Sequence, residues 1–250
     1  PPRGSMRKGA LVILLFAAAL RLLRAVCRWD EWALHYAAYN LPTYEALQTG
    51  STLDVFTTWV GLHPPLYPIL HSLSTVLWPT PASWLLFSAL CSLVAVGFLI
   101  AAHPTTLLPA LLLATDPVQL HYAAEVNNYP LSVMLIAAAW WGLKTHRPYF
   151  ITAVGCLAVW THVMAGLAVL VIAMCHPKRF KILIPMALAG VPLIGTGWML
   201  AADAGSARQP PLLLEASILD AIERFSIGWV MLFPVLLLGF TREKHAAMGW

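Results

Sequence analysis

Charged side chains are scarce in this chain: Asp, Glu, Lys and Arg make up 10% of its 250 residues. A soluble globular domain carries about 25%, so that class is excluded. Cysteine is nearly as sparse. Cys27, Cys91, Cys156 and Cys175 stand singly, mostly inside apolar runs, with no CxxC or Cys/His ligand spacing. They read as small core residues, which excludes a disulfide framework or a zinc motif. Hydrophobic residues fill 60% of the chain, and the mean hydropathy is +0.74. This is the composition of an all-α polytopic membrane protein. The net charge of +4 does not imply nucleic acid, because the basic residues fall mostly in short gaps between apolar runs.

A spanning helix needs roughly 20 apolar residues, and that ruler parses the chain. Residues 1–5 read as a protease-site scar ahead of Met6. Apolar runs follow near 8–27, 82–102, 105–115, 126–143, 149–160, 164–175, 182–202 and 227–240. Arg7 with Lys8, Lys144 with Arg147, the cluster Lys178, Arg179 and Lys181, and Arg242 with Lys244 share one side only if there are about eight spans. The apolar stretch 63–78 then lies in or dips into the outer leaflet without crossing. Both termini are placed in the cytoplasm, and segments 28–81, 116–129 and 203–226 meet outside.

Those outer segments hold most of the chemistry. The first carries Asp30, Glu31, His35, His63 and Tyr67, with Trp32, Tyr36 and Tyr39 spaced as anchors of an amphipathic juxtamembrane helix. The second carries Asp116, His121, Tyr122, Glu125, Asn128 and Tyr129, and the third Arg208, Glu215, Asp220, Glu223 and Arg224. A carboxylate pair at a bilayer exit is costly to desolvate and makes no core contact, so Asp30 and Glu31 read as a site. Arg21, Arg24 and Arg28 follow i, i+3, i+7 spacing on the outer half of the first run, against the positive-inside trend. They either hold an anionic lipid phosphate or snorkel to headgroups.

Four features together resemble the GT-C superfamily of glycosyltransferases: the acidic pair after the first run, HPPLY at 63–67, P-x4-Y-A-A-E-x3-Y at 117–129, and Thr161-His162 at an outer junction. More narrowly, they resemble the bacterial family-39-like enzymes related to protein O-mannosyltransferases and lipid A aminoarabinose transferase. The likeness covers residues 6–202, the usual seven-helix catalytic module, and leaves 203–250 as an outer loop and one final span. It implies transfer of a sugar, with inversion, from a polyprenyl-phosphate donor to an acceptor at the extracytoplasmic face of the bacterial inner membrane. Asp30 would be the general base with Glu31 beside it, and His63, Arg28, Arg24, Arg208 and Arg224 would hold the donor phosphate. His35, Tyr67, Tyr122, Glu125, Asn128, Tyr129 and His162 would bind or support substrate. A divalent cation on Asp30, Glu31 and Glu125 is left open.

The chain departs from the family at Asn127, where many relatives carry arginine, and in its few helices beyond the module. The second departure implies a small or lipid-like acceptor, or a partner subunit that completes recognition. A silent relative that binds lipid or glycan and scaffolds a partner is the alternative. A transporter fits less well, because the ionisable groups gather at one face rather than along a midplane path.

Overall fold

The computed structural model describes residues 3–27, 64, 66–77 and 81–204. Its contacts divide the chain into two compact units, Pro1–Leu200 and Ala201–Trp250, and the helix packing and the candidate site belong to the first. Among the described residues every element is a helix: α1 (Arg3–Cys27), α2 (Leu66–Leu77), α3 (Pro81–Ala102), α4 (Leu108–Thr115), α5 (Pro117–Ala123), α6 (Tyr129–Lys144), α7 (Pro148–Thr161), α8 (Val163–Met174) and α9 (Arg179–Ala204). Proline sets several of the starts. Pro109, Pro117, Pro130 and Pro148 occupy the first turn of α4 to α7, where the missing N–H would have had no helical partner anyway.

Two described stretches are long and apolar enough to cross a membrane, Met6–Cys27 and Leu85–Ala102. The remaining expected spans differ in length. The run at 105–115 forms only the eight residues of α4, about 12 Å of rise against a hydrocarbon core of about 30 Å. The run at 126–143 begins at Tyr129, because the chain turns between Ala124 and Asn128. α7 and α8 have 14 and 12 residues and meet at the single residue His162. The cysteine reading also needs correction, since Cys27 and Cys175 are exposed and only Cys91 is fully buried.

Apolar side chains fill most of the interior and also cover much of the outer surface. On α1 the buried positions are Ala17 and Arg21, whereas Leu11, Leu15, Phe16, Leu22, Leu23 and Val26 are exposed. The interior holds Ser88, Ser92, Gln119, Glu125, Ser132 and Thr161, and the outer faces of α3, α8 and α9 present Leu90, Leu167, Val171, Ile184 and Leu188. Apolar surface on this scale is what a lipid-facing helix presents.

α6 is the central element and packs on α3, α7 and α8. Its Ala137, Ala138 and Ala139 are buried, and such small residues let helix backbones approach closely. α7 and α9 run parallel. Thr152 Oγ1, Cys156 Sγ and Trp160 Nε1, one turn apart, donate to the carbonyls of Lys181, Pro185 and Ala189. The Lys181 carbonyl lacks its usual helical donor because Pro185 has no N–H, so Thr152, at 3.5 Å, covers a defect that Pro185 creates. At the corner of α7 and α8, a Cβ on Gly166 would lie 2.8 Å from Val159 Cγ2 and 3.1 Å from Val159 Cα. Valine has one strongly preferred rotamer in a helix, so the contact cannot be relieved by a side chain alone. Gly166→Ala is expected to destabilise the folded protein by about 1–3 kcal/mol in thermal unfolding of the detergent-solubilised protein. An unchanged midpoint would show that the corner yields.

One end of this unit is basic. Gly9 of α1 abuts Leu107, between α3 and α4, and Trp140 Nε1 of α6 donates to His103 Nε2 after α3 at 3.0 Å. His146 after α6 lies 6.4 Å from His176 after α8. Apart from Arg21 and Arg24, every lysine and arginine in the described part of this unit belongs to this end. The end of α6 closes with Arg147 N–H on Gly142 O and His146 N–H on Leu143 O, a Schellman pattern that places His146 at φ 55°.

His176 is a pH-sensitive element here. It is buried, its Nδ1 accepts the Lys178 N–H at 3.0 Å, and burial, then His146 and Lys178, lower its pKa below the ordinary value. The folded protein therefore favours the neutral ring, which the unfolded chain, near pKa 6.5, does not. Its contribution to stability is complete above about pH 6.5 and is lost as pH falls through the lowered pKa. His176→Gln should flatten that acid-side loss in a series of unfolding midpoints against pH; an unaltered slope would remove His176 as the cause.

Candidate functional site

The opposite end gathers the polar side chains. The C-terminal end of α1, the start of α3, the α4–α5–α6 turns and the α7–α8 corner all meet there. Asp116 sets the α4–α5 break: its Oδ1 accepts the Val118 N–H at 2.9 Å as the N-cap of α5, the role a short acidic side chain plays best ahead of proline. Burial raises its carboxyl pKa, while the backbone N–H groups of Val118 and Gln119 and the charge of Arg21 pull it back down.

Arg21 is 1% exposed. Its Nε donates to Ser92 Oγ at 2.8 Å, and Nη1 to the carbonyls of Ala17 and Ala114 at 3.1 and 3.3 Å. One side chain thereby ties α1 to α3 and α4. Arg24, three residues on, shares the face and reaches α5, with Nη2 3.4 Å from His121 Nδ1. His121 Nε2 lies 3.0 Å from Glu125 Oε1. With Arg24 donating to Nδ1, the imidazole is the Nε2–H tautomer and donates onward to the carboxylate. Glu125 is buried and His121 about one-third exposed, so the chain of groups runs from a cation on α1 to an enclosed carboxylate. Across the neutral imidazole, the guanidinium and the carboxylate balance in charge. Among the described residues no three His, Cys, Asp or Glu side chains converge as a metal site.

Aromatic rings extend from this line. Tyr122 lies 5.2 Å from His121 and 4.5 Å from Tyr129, and Tyr129 lies 5.5 Å from His162. Asn128 Nδ2 donates to the Thr161 carbonyl at 3.1 Å, joining the start of α6 to the end of α7. His162 has extended backbone and caps α8, its Nδ1 accepting the Met164 N–H at 3.1 Å. Tyr67 is buried: its hydroxyl pairs with Ser88 Oγ at 2.7 Å and meets the backbone amide of Asn127. His71 stacks on it at 5.7 Å.

Tyr67, Tyr122, Glu125, Asn128, Tyr129, His162 and Arg24 thus belong to one end of the bundle. Within that group Tyr67 and Asn128 spend hydrogen bonds on joining elements, and His162 spends its own on capping α8. Asp30, Glu31, His35, His63, Arg28, Arg208 and Arg224 lie outside the described residues. Sequence reasoning missed the ties of Arg21 to Ser92 and of Arg24 to His121, which join positions 71 and 97 apart. It also missed the Asp116 cap, although Asp followed by Pro is a helix-start signal. Comparison with known proteins finds no matching family model, no matching curated protein and no matching solved structure.

Proposed function

We propose that this chain is a polytopic membrane glycosyltransferase of GT-C type, with about eight spans, in the bacterial inner membrane. Its partners are a polyprenyl-phosphate sugar, membrane lipids and an acceptor at the extracytoplasmic face. The shorter helices α7 and α8 are met by local thinning of the bilayer.

One observation carries the reading: ionisable side chains are segregated between the two ends of the Pro1–Leu200 unit. Arg7, Lys8, Lys144, Arg147, Lys178, Arg179 and Lys181 belong to one end, and Arg24, Asp116, His121 and Glu125 to the other. The first matches a cytoplasmic face under the positive-inside rule. At the second, α1 ends at Cys27, three residues before Asp30 in sequence. Asp30 would accept the proton of the acceptor hydroxyl as its oxygen bonds to the anomeric carbon. The carbon–oxygen bond to the lipid phosphate breaks, and its electron pair leaves on the phosphate, which Arg28, His63 and Arg24 stabilise. Many members of the family that the chain resembles carry arginine two residues after the glutamate. Here Asn127 instead accepts the Tyr129 N–H at 3.1 Å, and Arg24 approaches Glu125 through His121.

A silent lipid- or glycan-binding subunit is the second reading, favoured by the structural use made of Asn128 and His162. Labelled polyprenyl-phosphate hexoses, incubated in proteoliposomes with a total membrane extract as acceptor, separate the two. Transfer of label and release of polyprenyl phosphate support the enzyme, whereas retention of donor without transfer supports the subunit.

A further inference from the structure

Near the basic end, away from the candidate site, an apolar groove of about 420 Å³ opens between α1, α3 and α6. Its walls are Leu14, Leu93, Val94, Phe98, Ala101 and Trp141, and Gly97 lies among them. A Cβ on Gly97 would meet nothing within 4 Å, so the glycine is not required by helix packing. It leaves a trough in a helix face that neighbouring residues make continuous.

The groove has a charged margin. The guanidinium of Arg147 sits over the Trp141 ring, 4.8 Å from its centroid, and Trp141 is itself a wall. Arg147 is exposed and has no acidic partner among the described residues. Close to it in sequence, Lys144 lies over the Trp140 ring at 5.1 Å. Exposed Lys178, Arg179 and Lys181 follow α8 at the same end. Cation–π contact holds a guanidinium in place without neutralising it, and five basic residues at one membrane face attract anionic headgroups at about 1 kcal/mol each.

We propose that this groove is a binding site for an anionic phospholipid of the cytoplasmic leaflet, an acyl chain lying over Gly97 and the phosphate paired with Arg147. Charge complementarity selects an anionic lipid over a zwitterionic one: an apolar groove alone would accept any acyl chain, but only an acidic headgroup answers the basic margin. The inference rests on the membrane setting and is independent of glycosyl transfer.

The full-length protein in detergent, titrated with dioleoyl phosphatidylglycerol or dioleoyl phosphatidylcholine, tests this by native mass spectrometry. The wild type should retain phosphatidylglycerol preferentially. Arg147→Gln should weaken that retention about fivefold, the equivalent of about 1 kcal/mol, and leave phosphatidylcholine unchanged. Gly97→Leu, which fills the trough, should lower retention of both lipids while helical circular dichroism is preserved. Equal retention of the two lipids by the wild type overturns the headgroup assignment, and undiminished phosphatidylglycerol in Gly97→Leu overturns the groove. Should Gly97→Leu fail to fold, Arg147→Gln, at an exposed position, decides alone: unchanged preference overturns the proposal. Loss of lipid retention with sugar transfer intact would leave the enzymatic reading untouched.

Discussion

Arg21→Ala is expected to cost the folded protein about 3–5 kcal/mol, from hydrogen bonds to a charged donor worth about 1.5–3 kcal/mol each and from the cavity left by a large buried side chain. Guanidinium bonds to Ser92 and to the Ala17 and Ala114 carbonyls disappear together, and the Ala114 carbonyl, near the end of α4, has lost a donor the helix does not replace. For a chain of this size the change lowers the unfolding midpoint by on the order of 10 °C. Arg21→Met should cost less than half as much, because methionine fills much of the space without a charge to desolvate. Thermal unfolding of the two variants in one detergent makes the comparison. If Ala and Met are equally harmful, the hydrogen bonds and not the packing dominate; if neither is harmful, the tie between α1, α3 and α4 is incidental. Arg24 lies on the same face three residues further on, so loosening α1 also moves the cation that contacts His121.

The part of this architecture legible in the sequence was the part that hydropathy and proline encode locally. The runs expected near 82–102, 149–160 and 164–175 correspond to Pro81–Ala102, Pro148–Thr161 and Val163–Met174, since a long apolar run with a proline or a break beside it has few alternatives. The all-helical class followed from the same signal. α5 was not legible because its seven residues are too few and too polar for a hydropathy ruler, although Asp116-Pro117 marks its start. Nor were the partners of Arg21 and Arg24: spacing showed a shared face, but Ser92 and His121 reach that face only through packing. Glu125, picked out as an acidic residue at a boundary, is enclosed with His121 as its partner, an arrangement its i, i+4 spacing permits and its environment enforces. His162, which the resemblance marks as a substrate-binding or supporting residue, uses its ring to cap α8.

If the proposed glycosyl transfer is correct, Asp30→Asn should lower turnover with the polyprenyl-phosphate sugar by about 10²–10⁴-fold, the usual contribution of a positioned general base. The amide keeps the size of the side chain and loses the proton acceptor, so kcat falls while KM for the donor stays nearly constant. Glu31→Gln, the neighbouring change, should reduce rate far less if Asp30 is the base; an inverted order would transfer the role to Glu31. Glu125→Gln discriminates further. It removes the negative end of the Arg24–His121–Glu125 chain; on the proposed reading, in which Arg24 helps to hold the donor phosphate, KM for the donor should rise more than kcat falls. Rates across pH, with unfolding midpoints showing that each variant folds, give the decisive measurement. The acid limb that reports a carboxylate base should vanish in Asp30→Asn and persist in Glu125→Gln. Wild-type turnover in Asp30→Asn would end the enzymatic assignment at that residue, and an absent acid limb in the unaltered protein would end general-base catalysis by any carboxylate at this face.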